Sequence, residues 1–297
     1  MRILLTGRNG MLGRELAQAL APLGTLTAFD RQGLDLAAPD RIVACVREFR
    51  PDLIVNAAGW TEVDRAEEDE ALAWRVNATA PGILAEEAAR LGARIVHYST
   101  DYVFDGTRPG PYSEADMPNP VNAYGRSKLA GERAVQAACA RHLIFRTSWL
   151  YASHGRNFLL TMLERLQREG ELRVVNDQVG TPTWTREVAA TTRQVLGAGM
   201  PAAGTPEPAG VFNVAASGST SWFDYASAIA ESLAAHEIDV TARLVPVTAA
   251  EYPSRARRPP NSVFSLAKIE SLLKLESRPW QRSVRACVDE TLKRQDR

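Results

Sequence analysis

Five residues into the chain, Thr6-Gly7-Arg8-Asn9-Gly10-Met11-Leu12-Gly13 sets three glycines at GxxGxxG spacing. They fall between an apolar run, Ile3–Thr6, that reads as a strand and an amphipathic stretch, Met11–Ala21, that reads as a helix. In such a unit Gly7 permits the tight turn and Gly10 lets backbone approach a pyrophosphate. Gly13 lets the helix lie close on the sheet, and the helix N-terminus, opened by Met11 and Leu12, faces the phosphates. A plain strand–helix turn also favours glycine. The second strand, Thr25–Phe29, ends on Asp30, where a carboxylate can accept hydrogen bonds from an adenosine ribose, as a dinucleotide-binding turn requires.

The same unit recurs along the first half. Helix Pro39–Phe49 leads to strand Asp52–Asn56, helical segments fill Ala66–Leu91, and strand Ala93–Tyr98 precedes helix Asn122–Ala140 and strand His142–Thr147. Apolar runs of four to six without alternation suit strands covered on both faces. Strand–helix–strand repetition implies right-handed crossovers and an α/β, Rossmann-type doubly wound parallel sheet. The second half is less regular. Helices are expected over Asn157–Arg168, Arg186–Leu196, Ser221–Ala235 and Leu266–Leu275, with a strand at Val211–Ala215 after the Pro/Gly/Ala-rich connection Met200–Gly210. The expected organisation is an NAD(P)-binding domain over 1–150, rejoined by about 184–214. A smaller, discontinuous α/β substrate domain takes 151–183 and 215–297.

Which nicotinamide cofactor is taken stays open. Asp30 repels a 2′-phosphate, whereas Arg31 and Arg8 can pair with one. Asp35-Leu36 suits either an adenine contact or simple helix initiation. Ala57-Ala58-Gly59, small residues at the end of the third strand, leave room for a cofactor.

Charge narrows the partners. With 35 Lys+Arg against 35 Asp+Glu the net charge is zero, so no bulk field draws the chain to nucleic acid or to an anionic membrane. No run of roughly 18 apolar residues suggests a membrane span, and MRILLTGRNG turns into the glycine loop rather than a signal-peptide core. Cys45, Cys139 and Cys287 are odd in number and widely spaced, which suits a reducing cytoplasm, and His97, His142, His154 and His236 lack metal-ligand spacing.

Tyr124-Gly125-Arg126-Ser127-Lys128 places a phenol and an ammonium at i and i+4 on one helix face, in a chain with only four lysines. A tyrosine titrates at about 10, and a neighbouring ammonium is expected to lower that value toward a useful general acid. Thr100, just after the fourth strand, can hold a substrate carbonyl against the phenol, with Ser99 as the alternative.

On these motifs the chain resembles the extended short-chain dehydrogenase/reductase family. The segments VNAAGWTEVDRAE (55–67), HYSTDYVFDG (97–106), NAYGRSKLAGE (122–132), IFRTSWLY (144–151), VNDQVGTPT (175–183) and ARRPPNS (256–262) are similar to its dTDP-4-ketosugar reductases. The resemblance implies reduction, with NADPH or NADH, of the 4-keto group of dTDP-4-dehydro-β-L-rhamnose to dTDP-β-L-rhamnose by a cytoplasmic monomer or homodimer. It implies Tyr124 as proton donor, Lys128 as its partner and cofactor-ribose ligand, and Thr100 as the hydroxyl tuning the tyrosine. Asp101 and Trp149 are implied to touch the sugar nucleotide, and Tyr98 with Gly59-Trp60-Thr61 to lie along the cofactor. Arg257 and Arg258 suit either the substrate diphosphate or a solvated loop. Some members place Mg²⁺ on three glutamates; here Glu15 and Glu290 match two, but Arg186 stands at the third, which puts Mg²⁺ in doubt. A related dehydratase carries Asp-Glu after the threonine where this chain has Asp101-Tyr102. The remaining alternatives are a sibling 4-ketoreductase and a non-enzymatic regulatory subunit like that of methionine adenosyltransferase.

Overall fold

In the computed structural model, residues 1–168, 170–198, 207–252 and 254–295 are described; residues 200–206 of the expected connection lie outside them. In chain order the strands are β1 (Arg2–Thr6), β2 (Thr25–Phe29), β3 (Leu53–Asn56), β4 (Arg94–Thr100), β5 (His142–Thr147), β6 (Leu150–Tyr151), β7 (Glu171–Val175), β8 (Val179–Gly180), β9 (Thr183–Trp184), β10 (Gly210–Asn213), β11 (Thr220–Ser221) and β12 (Arg243–Val247). The helices are α1 (Met11–Leu20), α2 (Pro39–Phe49), α3 (Val63–Ala66), α4 (Glu70–Trp74), α5 (Ala80–Leu91), α6 (Ala123–Ala138), α7 (Phe158–Arg165), α8 (Thr185–Ala198), α9 (Trp222–Ala234), α10 (Ala267–Leu273) and α11 (Trp280–Gln295).

Six strands pair in the order β10-β5-β4-β3-β1-β2. Every neighbour is parallel, for example Ile3 against both Leu26 and Leu53, and Thr100 against Thr147. Along β1, Ile3 and Leu5 pack on one side with Leu12, Leu16 and Leu20 of α1 and Val188 and Val195 of α8. Leu4 packs on the other with Ile42 and Val46 of α2, Leu84 and Ala88 of α5 and Val135 of α6. Both faces are thus covered, which is why the strands read as unbroken apolar runs. The doubly wound sheet expected from the sequence is present.

A separate apolar cluster gathers Tyr151, Leu159, Leu163, Leu172 and Trp184 with Tyr225, Ile229, Leu233, Val284 and Val288. It is roofed by a parallel pair not anticipated from the sequence, β7 with β12, and by α11, also unanticipated. Helix α11 buries Trp280, Val284, Cys287 and Val288 with the small polar Ser283 and Thr291, between charged residues, so its apolar stripe does not stand out in sequence. Phe264, Leu266 and Ile269 instead join the cluster under α1 and α8, so part of the C-terminal third packs on the large sheet.

Candidate active site

The carboxyl ends of β1 to β4 open into a cleft of about 950 Å³, in the range of small-molecule and cofactor sites. The glycine turn forms one wall. Gly7 has φ +75°, and a Cβ on Gly13 would lie 2.0 Å from the Gly7 carbonyl oxygen, so no other residue fits at 13 without moving the turn. Gly13 lies behind the cleft and Arg8 is outside its lining; the other residues expected at the cofactor line it, from Gly7, Gly10, Met11 and Leu12 to Tyr124 and Lys128.

Local bonds explain the shape. Asp30 accepts from the Asn9 amide at 3.0 Å and from the Gln32 and Gly33 N–H groups at 3.1 and 3.0 Å. These bonds, the Gly33 N–H above all, hold its carboxyl below the usual range. Arg31, Asp35 and Leu36 follow along the same rim. Thr6 Oγ1 donates to Asn56 Oδ1 at 2.6 Å and accepts from the Ala58 N–H at 3.2 Å, which pins Ala57 and Ala58 against the floor. The Gly59-Trp60-Thr61 wall is held by Asn77, which accepts from the Trp60 N–H at 2.8 Å and donates to the Trp60 carbonyl at 3.0 Å. Asn77 sits in a π-helical turn, Arg75–Thr79. It was not singled out in sequence, though asparagine inside an apolar helical run is the available signal, because such a side chain competes with the helix for backbone partners.

At the far end, Tyr124 and Lys128 share one face of α6. The phenol is 9 % exposed and packs edge-on to Tyr102, ring centroids 5.6 Å apart. Thr100 Oγ1 lies in hydrogen-bond reach of it, donates to Asp101 Oδ1 at 3.0 Å and accepts from the Tyr102 N–H at 3.2 Å. One expectation changes here. Burial raises the Tyr124 hydroxyl above the ordinary tyrosine range, with Thr100 pulling it back. The Lys128 ammonium donates one of its three N–H groups to the Tyr98 carbonyl at 2.6 Å, and burial, not this cation, sets the resting phenol. Burial brings Lys128 itself down to about 8, against the pull of Glu132 one turn on. Tyr98 meets the cleft through that carbonyl, while its phenol bonds to Thr192 at 2.7 Å inside the core.

The expected substrate residues are spread out, and none lines the cleft itself. Asp101 is buried, with Thr100 and Ser148 donating to it at 3.0 and 3.2 Å. Burial pushes its carboxyl up to about 6 despite those bonds. A raised acid favours the protonated folded state, so its stabilising effect is full below the unfolded value of about 3.9 and is lost as pH rises through about 6. Asp101→Asn should therefore gain stability relative to the unaltered protein by about 2–3 kcal/mol between pH 4 and pH 7, read from urea midpoints at both values; a pH-independent difference refutes the assignment. Trp149 takes a left-handed backbone, φ 43°, and stacks on Trp222 at 3.6 Å and 6°. Arg258 pairs with Asp64 at 2.8 Å and donates to the Tyr102 hydroxyl at 3.2 Å. Arg257 is exposed, its carbonyl accepting from Asn122 at 2.8 Å. Glu15 and Glu290 do meet, but around Arg186, whose guanidinium donates to both.

The family described as RmlD substrate binding domain matches residues 1–293. A dTDP-4-dehydrorhamnose reductase of Burkholderia thailandensis is 44% identical over 98% of this chain and 99% of its own length. The Escherichia coli K12 reductase of the same name is 43% identical over 98% of both. Among solved structures, the Clostridium acetobutylicum dTDP-4-dehydrorhamnose reductase superposes with a TM-score of 0.90 at 36% identity, covering 98% of this chain and 100% of that one. The Bacillus anthracis enzyme, solved with NADP, gives 0.89 at 33% over 97% and 99%. Matched along nearly its whole length by sequence and by fold, the chain belongs to the dTDP-4-dehydrorhamnose reductase family.

Proposed function

We propose that this protein catalyses the NAD(P)H-dependent reduction of the 4-keto group of dTDP-4-dehydro-β-L-rhamnose to dTDP-β-L-rhamnose. The observation that carries the reading is the Tyr124–Lys128 pair at one end of a cleft whose other end is a glycine turn, with Thr100 buried beside the phenol. A nicotinamide dinucleotide fits the residues present: the turn has no room for a Cβ at Gly13, and Asp30 stands where an adenosine ribose is met.

The bound cofactor supplies hydride, and the protein supplies position and the proton. Tyr124 donates its phenolic proton to the sugar O4 as negative charge develops there. Thr100 holds that oxygen beside the phenol, and the Lys128 ammonium stabilises the phenolate left behind. A buried, raised phenol keeps its proton at neutral pH until the oxyanion forms, so the acid is loaded when needed. The proposed sugar contacts are Asp101, whose carboxyl Ser148 and Thr100 hold in place, and the Trp149 indole, braced by Trp222. The small apolar cluster between β7, α9 and α11 is the body of the substrate lobe in this reading. The cytoplasm is the proposed setting, in keeping with three unpaired cysteines; among the described residues no helix is long and apolar enough to cross a membrane.

The test is oxidation of NADPH and NADH in the presence of the 4-keto sugar nucleotide, with the product identified by NMR. Turnover with the rhamnose configuration at C4 is expected. No oxidation of either cofactor refutes the reading, and the epimer at C4 makes the chain a sibling ketoreductase.

A further inference from the structure

We infer that Arg186 is a built-in cation that fastens α11 and the 153–157 loop to α1, and so steadies the pyrophosphate turn without a divalent metal. The inference rests on reading the cleft as the NAD(P)H site. Arg186 lies in the first turn of α8, over the Trp184 ring at 4.5 Å. Its Nε donates to Glu15 Oε2 on α1 at 3.2 Å, its Nη2 donates to Glu290 Oε1 on α11 at 2.9 Å, and its Nη1 donates to Glu290 Oε2. Glu290 also accepts from Ser153 Oγ at 2.7 Å and pairs with Arg294 at 2.8 Å. Glu15 is buried, with His154 Nδ1 at 3.8 Å.

The cluster reaches the cofactor through Met11. His154 Nε2 is 3.3 Å from the Met11 carbonyl, and the Asn157 amide donates to Met11 Sδ at 3.5 Å. Gly155 approaches so closely that a Cβ there would lie 2.9 Å from Met11 Cγ. Met11 lines the cleft. The guanidinium therefore locks three segments, and one of them touches the residue that opens the phosphate-facing helix.

The donor set does not fit the Mg²⁺ that the resemblance attaches to Glu15 and Glu290. Magnesium demands an octahedron of oxygens around concentrated negative charge. Here two carboxylates face two guanidiniums, Arg186 and Arg294, so their charges already cancel. Among the described residues no group of three or more His, Cys, Asp or Glu side chains is arranged to hold a metal. Arg186 takes the place of the missing acid and brings the compensating charge on the chain itself, as a planar fork suited to two carboxylates.

The experiment measures melting temperature and the dissociation constant of reduced cofactor for the unaltered protein, R186K, R186Q and R186E, each in EDTA and in millimolar Mg²⁺. The unaltered protein should give the same values in both buffers. R186Q should bind reduced cofactor about 5- to 30-fold more weakly in either, the loss of one coupling between packed segments, with R186K recovering most of it. R186E, which leaves three carboxylates together, should melt several degrees higher in Mg²⁺ than in EDTA. A metal-dependent shift in the unaltered protein, unchanged affinity in R186Q, or no metal response in R186E overturns the inference. Should R186E fail to fold, R186Q against R186K decides it. No sugar enters these measurements, so a failure of the substrate reading leaves them intact, whereas an unaltered protein that binds neither cofactor refutes the functional reading itself.

Discussion

Replacing Tyr124 by phenylalanine lowers kcat by about 10²- to 10⁴-fold, the range spanned by losing a positioned general acid, while the dissociation constant of reduced cofactor and the melting temperature stay close to those of the unaltered protein. The separation follows from what the side chain touches. The ring is buried and packs on Tyr102, contacts that phenylalanine keeps. Thr100 retains its bond to Asp101 when the hydroxyl opposite is removed. Only the proton is lost, so the alkoxide at O4 must take its proton from water in place of a positioned acid. Stopped-flow hydride transfer with fluorescence titration of the cofactor separates the two effects. Turnover within tenfold of the unaltered protein would remove Tyr124 from the mechanism.

Lys128→Met is expected to move activity and stability in opposite directions. Activity should fall by about 10²- to 10³-fold, because the phenolate left on Tyr124 loses the cation one helical turn along α6. Stability should rise near pH 7. Burial lowers the ammonium from 10.5 to about 8, so the folded state favours the neutral amine. The stabilising effect of that shift is complete above the unfolded value and is lost as pH falls through about 8, leaving an ion buried at a cost of up to about 3 kcal/mol at neutral pH. Methionine removes the ion, and the bond to the Tyr98 carbonyl goes with it, which offsets part of the gain. The unaltered enzyme should also show an alkaline limb in kcat/KM near pH 8, the free-enzyme titration of Lys128. A flat profile from pH 7 to 9, or K128M melting below the unaltered protein at neutral pH, contradicts this account. Such opposition is the usual mark of a group kept for function at the expense of the fold.

The two halves of the molecule were not equally legible. The parallel sheet could be read from the chain because each strand is a short apolar run buried on both faces, as in Ile3-Leu4-Leu5 and Leu53-Ile54-Val55. The cofactor cleft could be read because its requirements are local: a left-handed Gly7, a Gly13 without room for a Cβ, and small residues at 57–59. The β7–β12 pair could not be anticipated, since Glu171–Val175 and Arg243–Val247 lie far apart in sequence and are partly exposed. Trp222 likewise gave no sign that it stacks on Trp149.

Spacing along the chain was enough for the αβ alternation, the turn at 7–13 and the Tyr124–Lys128 pair, because hydrogen bonds and side-chain neighbours three or four residues apart are set by backbone geometry alone. The electrostatic state of those same groups waited on folding. Lys128 meets the carbonyl of a residue 30 positions away, and Arg186 meets Glu15 across 171 positions and Glu290 across 104. The pairing of charges at such separations depends on which surfaces the packed sheet and helices bring together, and burial, which moves Tyr124, Lys128 and Asp101 from their ordinary values, exists only once that packing has excluded water.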